Sequence, residues 1–168
     1  MARITLFRHG KAETPTAFFP DFDRQLSSKG RMNAAQMGAF LMAQKMLPDM
    51  ILVSPAARTL ETLKIASQDW PDIKKIICDD IYEASSNELL KLVAEKASDL
   101  SNVMIIGHNP SLVVALNQMV DERYADRGLS YFPTCCVAEV GFGADQLGAI
   151  VPDEGTLLSM IRVRDLDV

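Results

Sequence analysis

Apolar residues in this chain fall into short runs, separated by stretches where they recur every three or four positions. Residues 3–7, 50–53, 76–78 and 103–106 are nearly unbroken apolar runs, the pattern of parallel strands buried on both faces. Between the first two, Met32, Ala35, Ala39, Met42 and Met46 alternate in steps of three and four. That spacing predicts a helix whose apolar stripe, methionines included, packs on the core, with Ser27 or Ser28 as its cap. Further helices are predicted over 57–66, 87–97 and 110–120, the last with Pro110 in its first turn. The end of the chain reads differently: 135–142 and 156–163 are strand-like and flank the turn-rich "GADQLGAIVPDEG". Strands alternating with helices, then two late strands, predict a three-layer α/β/α sandwich. Its sheet is mostly parallel, with an antiparallel addition near the C-terminus. No repeat, linker or low-complexity tract divides residues 1–168, which read as one domain.

Composition narrows the functional classes. Apolar residues make up 48% and charged residues 23% of the chain, ordinary for a soluble globular protein. A net charge of −5 without a basic stripe argues against nucleic acid as a partner. No apolar run approaches the ~20 residues that span a bilayer, and "MARITLFRHG" lacks the features of a secretion signal. Cys78, Cys135 and Cys136 show no disulfide or metal-ligand spacing. The adjacent pair reads as two strand residues, and reduced cytoplasm is the expected compartment.

The candidate chemistry lies where each strand gives way to the next segment, the place where open α/β sheets bind ligands. Arg8, His9 and Gly10 follow the first strand. "SPAARTLET" follows the second and sends Arg58 from the first turn of a helix, while "GHNPS" follows the fourth and carries His108. Only two histidines occur, and both sit at such junctions. Guanidinium forks match pairs of phosphate oxygens, so two arginines from separate loops could hold a phosphoryl group in line with an attacking atom. Neutral imidazole is a good nucleophile near pH 7. The covalent phosphohistidine it forms is then hydrolysed by water. Gly10 is expected to let the backbone turn and approach the ligand. His108, if protonated, adds another donor. The scheme requires no metal or cofactor.

These motifs, in this order, resemble those of the histidine phosphatase superfamily, of phosphoglycerate mutase-like fold. "SPAARTLET" and "IIGHNPSL" make the chain most similar to SixA-type phosphohistidine phosphatases. The resemblance implies that His9 is the nucleophile, that Arg8 and Arg58 hold the phosphate, and that His108 completes the pocket. It also implies a candidate acid after the third strand, for which Glu83 in "DDIYEAS" stands at the matching place, with Asp79 and Asp80 as rivals. Leaving-group protonation contributes ~10²–10⁴-fold where it operates. Asn109 either offers its backbone N–H to the phosphate or only caps the following helix. Residues 11–25 form a long loop in which Phe18, Phe19 and Phe22 could wall the pocket or pack on the domain, and Arg24 is a further candidate contact.

Substrate class follows from what is missing. Short connections leave little chain to cap a pocket, which suits phosphohistidine presented by a partner protein such as a phosphotransfer domain. A small phosphomonoester is the alternative substrate. A non-catalytic phosphate-binding module is disfavoured because His9 stands intact in its context.

Overall fold

A computed structural model describes residues 1–124 and 129–166. Six strands form one sheet: β1 (Arg3–Arg8), β2 (Met50–Val53), β3 (Lys74–Ile77), β4 (Asn102–Gly107), β5 (Val137–Gly141) and β6 (Thr156–Ile161), in the order β3-β2-β4-β1-β5-β6. β1, β2, β3 and β4 are mutually parallel, and β5 and β6 are added antiparallel at the far edge. Four helices cover the faces: α1 (Ser28–Ala43), α2 (Ala57–Ala66), α3 (Ser86–Lys96) and α4 (Ser111–Met119). Each face has its own core. Ile4 and Leu6 of β1 pack with Leu89, Val93, Leu112 and Leu116 of α3 and α4, whereas Phe7 packs with Met37, Leu41 and Leu63 of α1 and α2. The alternation of side chains along a strand sends them to opposite layers. The three-layer sandwich expected from the sequence is thus the architecture found.

Three local expectations need correction. Ser27 does cap α1, accepting from the Gly30 N–H at 3.1 Å, but of the predicted stripe Met32, Ala35, Ala39 and Met42 face outward, while Met46, beyond the helix, packs against the core. Met32 is 55% and Met42 43% exposed, while Gly30, Ala34, Met37, Gly38 and Leu41 face inward. The helix sits so close to α2 that a Cβ on Gly38 would collide with the Ala66 backbone. Trp70 Nε1 donates to the Gly38 carbonyl across the same contact at 2.9 Å. Close approach to α2 selects the face that carries Gly38.

β3 is the second correction. It begins earlier than the apolar run, at Lys74, and it is an edge strand with Ile77 58% exposed; lysines on such an edge discourage pairing with another sheet. Third, Cys135 and Cys136 precede β5. Cys135 adopts a left-handed φ of 59°, and its N–H meets the carbonyls of Arg8 and His9, each at 3.1 Å. That crossing closes the exit of β1. Both thiols are buried and free, and burial pushes each up to about 12. Among the described residues, no helix is long and apolar enough to cross a membrane.

Candidate active site

The parallel register brings the ends of β1, β2 and β4 level, since Arg8 lies opposite Gly107 and Val53 opposite Ile106. Whatever follows each strand therefore meets at one edge. His9 and His108 are both buried there, with ring centroids 5.2 Å apart. His9 Nδ1 lies 2.7 Å from the Gly10 carbonyl. A carbonyl only accepts, so Nδ1 carries the proton and Nε2 keeps its lone pair free. Burial, reinforced by His108, Arg58 and Arg8, lowers the His9 pKa to about 3 against the opposing pull of the Gly10 carbonyl. Burial and Arg58 lower that of His108 to about 4. Both rings are neutral near pH 7. The condition attached to His108 as a donor, that it be protonated, is therefore not met near pH 7 without an anion, because the ring is desolvated and stands beside the two guanidiniums.

The supporting bonds explain why these side chains stand where they do. His108 Nε2 is 2.8 Å from Ser54 Oγ, just after β2, and Ser111 Oγ donates to the His108 carbonyl at 3.0 Å. Thr62 links two motifs: its hydroxyl accepts from the Gly10 N–H at 2.9 Å and donates to the Arg58 carbonyl at 2.6 Å. Gly10 is required by crowding, not by an unusual dihedral. A Cβ there would come 2.9 Å from the Gly30 carbonyl oxygen of α1.

Arg8 donates from Nη1 to the Phe132 carbonyl at 2.9 Å, and Asn109 Nδ2 donates to the same oxygen at 2.9 Å. Asn109 therefore does not cap α4 with its side chain; Pro110 occupies the cap position. Arg58, 5% exposed in the first turn of α2, turns toward residues 11–25. It donates from Nη1 to the Asp21 carbonyl at 2.7 Å and from Nη2 to Asp21 Oδ2 at 3.0 Å. Tyr82 OH donates to that same carboxylate oxygen at 2.8 Å, while Arg24 Nε lies 3.0 Å from Oδ1. Bonding to Tyr82 and proximity to Arg58 and Arg24 hold the Asp21 carboxyl below its ordinary value.

Tyr82 forms a wall of the site. Its ring meets His108 edge-on at 5.5 Å, Phe22 at 5.0 Å, and the Arg58 guanidinium at 5.8 Å. Of the loop aromatics, Phe22 reaches this wall, while Phe18 is 97% exposed. Glu83 is exposed and lines a groove of about 600 Å³ with Asp79, Asp80, Glu88 and Glu95, next to Tyr82. It makes no hydrogen bond among the described residues.

Four sequence candidates thus converge: Arg8, His9, Arg58 and His108. Asn109 joins them through the shared Phe132 carbonyl, and Glu83 lies in the groove that Tyr82 also lines, with no bond to any of the four among the described residues. Asp21, Ser54, Thr62 and Tyr82 were not singled out by sequence, although Ser54 opens the very "SPAAR" segment that flagged Arg58. Arg8 Nε, Arg58 Nε and His108 Nδ1 are buried without partners among the described residues. Orphaned donors beside a free imidazole nitrogen can grip an anion while that nitrogen attacks it. Among the described residues, no group of three or more His, Cys, Asp or Glu side chains is arranged to hold a metal ion.

Comparison with known proteins agrees with this geometry. The family model of the histidine phosphatase superfamily, branch 1, matches residues 4–104. An uncharacterized protein of Mycobacterium tuberculosis is 26% identical over 136 residues, covering 78% of this chain and 84% of its own length. A candidate phosphohistidine phosphatase SixA of Agrobacterium tumefaciens superposes with a TM-score of 0.80 at 27% identity, covering 96% of this chain and 97% of its own. The protein histidine phosphatase SixA solved with tungstate superposes at 0.75 over 98% of this chain and 99% of its own; at 22% identity that likeness concerns the fold alone.

Proposed function

The chain belongs to the histidine phosphatase superfamily, branch 1, and from that premise we propose that residues 1–168 form one domain that hydrolyses phosphohistidine on a partner protein. Family membership and the SixA-like neighbours support phosphatase activity. The observation that carries the mechanism is the pairing of His9 with His108 at 5.2 Å, with Nε2 of His9 unprotonated and two guanidiniums at its side.

In this reading Arg8 and Arg58 bind the non-bridging phosphoryl oxygens, and Arg58 exchanges its Asp21 contact for them. His9 Nε2 attacks phosphorus as the bond to the leaving imidazole breaks, giving phospho-His9 and a departing imidazole that takes up a proton. Water then attacks phospho-His9, releasing orthophosphate and restoring the free ring. His108 holds an oxygen through Nδ1, and the arriving anion favours its protonated form. The Asn109 backbone N–H is a further donor at the same edge. No step uses a metal or cofactor. The substrate preference is supported by the short connections between most strands and helices, which leave little chain to cap the site beyond residues 11–25.

Two measurements test this. Acid-labile, base-stable label on His9 after quenching with a phosphohistidine substrate is expected, with turnover lost in His9→Ala; full activity in His9→Ala would sink the mechanism. The second concerns the proton donor. If Glu83 reaches the leaving group, Glu83→Gln should lower kcat/KM on an alkyl phosphate by ~10²-fold or more while barely slowing phosphohistidine, since an alkoxide needs the proton most. Better turnover of alkyl phosphates, collapsing in that variant, would replace the protein substrate with a small phosphomonoester.

A further inference from the structure

A groove of about 340 Å³ opens beside the exit of β1, lined by Lys11, Lys29, Tyr131, Thr134, Arg162 and Arg164 among others. It adjoins the candidate active site through two stretches of backbone. Lys11 is two residues beyond His9. Thr134 precedes Cys135, whose N–H closes on the Arg8 and His9 carbonyls. Four cations therefore converge a few residues from the nucleophile, in a chain whose net charge is −5.

The arginines are built into place. Arg162 and Arg164 both lie against the Tyr131 ring, at 5.4 and 5.3 Å from its centroid. The Arg162 side chain is only 18% exposed, and its Nε is buried without a partner among the described residues. Its Nη2 reaches the Tyr131 carbonyl at 3.4 Å. The carboxylate paired with these arginines is that of Asp165, with Oδ2 3.9 Å from Arg162 Nη1 and Oδ1 3.6 Å from Arg164 Nε. Among the described residues, Asp165 is the one carboxylate paired with these four cations, which leaves a local positive excess that an arriving anion relieves.

We propose that this groove is a second recognition site, which binds acidic side chains flanking the phosphorylated residue of a protein substrate. The inference rests on the phosphoprotein reading above. Its chemistry selects carboxylates: two guanidiniums held against one aromatic ring line the groove, their planar forks match carboxylate oxygens, and Lys11 and Lys29 add positive charge along it. The site would select among partners and speed encounter with them.

The test uses three synthetic phosphohistidine peptides whose flanks are Asp/Glu, Ala/Ser or Lys, and the variant Lys29→Glu with Arg164→Glu. Both positions are exposed, so the fold tolerates the change. In 50 mM salt the wild type should favour the acidic over the neutral peptide by about tenfold in kcat/KM. High salt should compress that ratio, and the double variant should bring it to about one or below. A second readout is independent of turnover: fluorescence anisotropy of an unphosphorylated acidic peptide, whose Kd should rise at least about tenfold in the variant. Equal turnover of all three peptides, or a preference that survives in the variant, overturns the proposal while leaving the phosphatase reading intact. If no peptide is turned over but acidic-peptide binding still depends on Lys29 and Arg164, the groove stands and the phosphohistidine reading falls.

Discussion

At the scale of residues, the two histidines dominate the acid side of the molecule because no others exist in the chain. Unfolded, each takes up a proton as pH falls through about 6.5. Folded, burial and the neighbouring guanidiniums delay that uptake to about 3 for His9 and about 4 for His108. Between those limits the unfolded chain binds more protons, so stability should fall as pH drops from 7 toward 5, before most carboxylates titrate. Urea midpoints at pH 7 and pH 5 check this. The wild type should lose stability, and His9→Asn or His108→Asn should each remove part of the loss. An unchanged wild-type midpoint would contradict the burial argument. Arg8, His9 and His108 were legible in sequence because each stands where an apolar run ends at the sheet edge, and Arg58 because it sits in the first turn of the helix that follows such a run. Asp21 and Tyr82 were not, since their roles come from a loop folding back over 37 and 61 residues of sequence separation to meet Arg58 and one another.

Elements were legible where periodicity and burial coincide. Both β2 and α2 match the sequence boundaries residue for residue, and the antiparallel pair was anticipated from the turn-rich segment near its second strand. For α1 the reading failed on orientation. Two helical stripes compete in that segment, and the one through Met32, Ala35, Ala39, Met42 and Met46 carries more hydrophobic mass. The buried stripe spans Gly30, Ala34, Met37, Gly38 and Leu41 at equally good helical spacing, but its glycines carry no hydrophobic signal. Mutation should distinguish the faces. Met37→Ala, at a fully buried position, is expected to cost ~2–5 kcal/mol through the cavity it leaves. Met32→Ala should stay within about 0.5 kcal/mol. Gly38→Ala should cost about 1–3 kcal/mol, because the obstacle is the Ala66 backbone, which cannot swing aside. Chemical denaturation gives all three, and equal costs for Met32→Ala and Met37→Ala would reverse the assignment of faces.

For the whole molecule, the acidic chain must concentrate its positive charge where an anion binds, and the structure shows a carboxylate already at that place. Asp21 accepts two bonds from Arg58, one at its carbonyl and one at its carboxylate, so under the proposed function binding phosphate means exchanging one anion for another. Sequence gave no sign of this exchange, because nothing in "FFPDFDRQ" says which basic group its aspartates meet. The consequence is measurable by linkage. Under the proposed function orthophosphate binds the folded state and not the unfolded chain, so it should raise the melting temperature, with about 2.7 kcal/mol of stabilisation at a concentration one hundred times Kd. Asp21→Asn removes the competing charge and keeps the side chain's shape. Its own melting temperature without phosphate should fall, because the Arg58 and Arg24 pairs weaken, yet phosphate should bind it more tightly and recover more stability than in the wild type. A variant that binds phosphate more weakly would show that Asp21 holds Arg58 in its receptive position, and competition between the two anions would then be the wrong account of the free site.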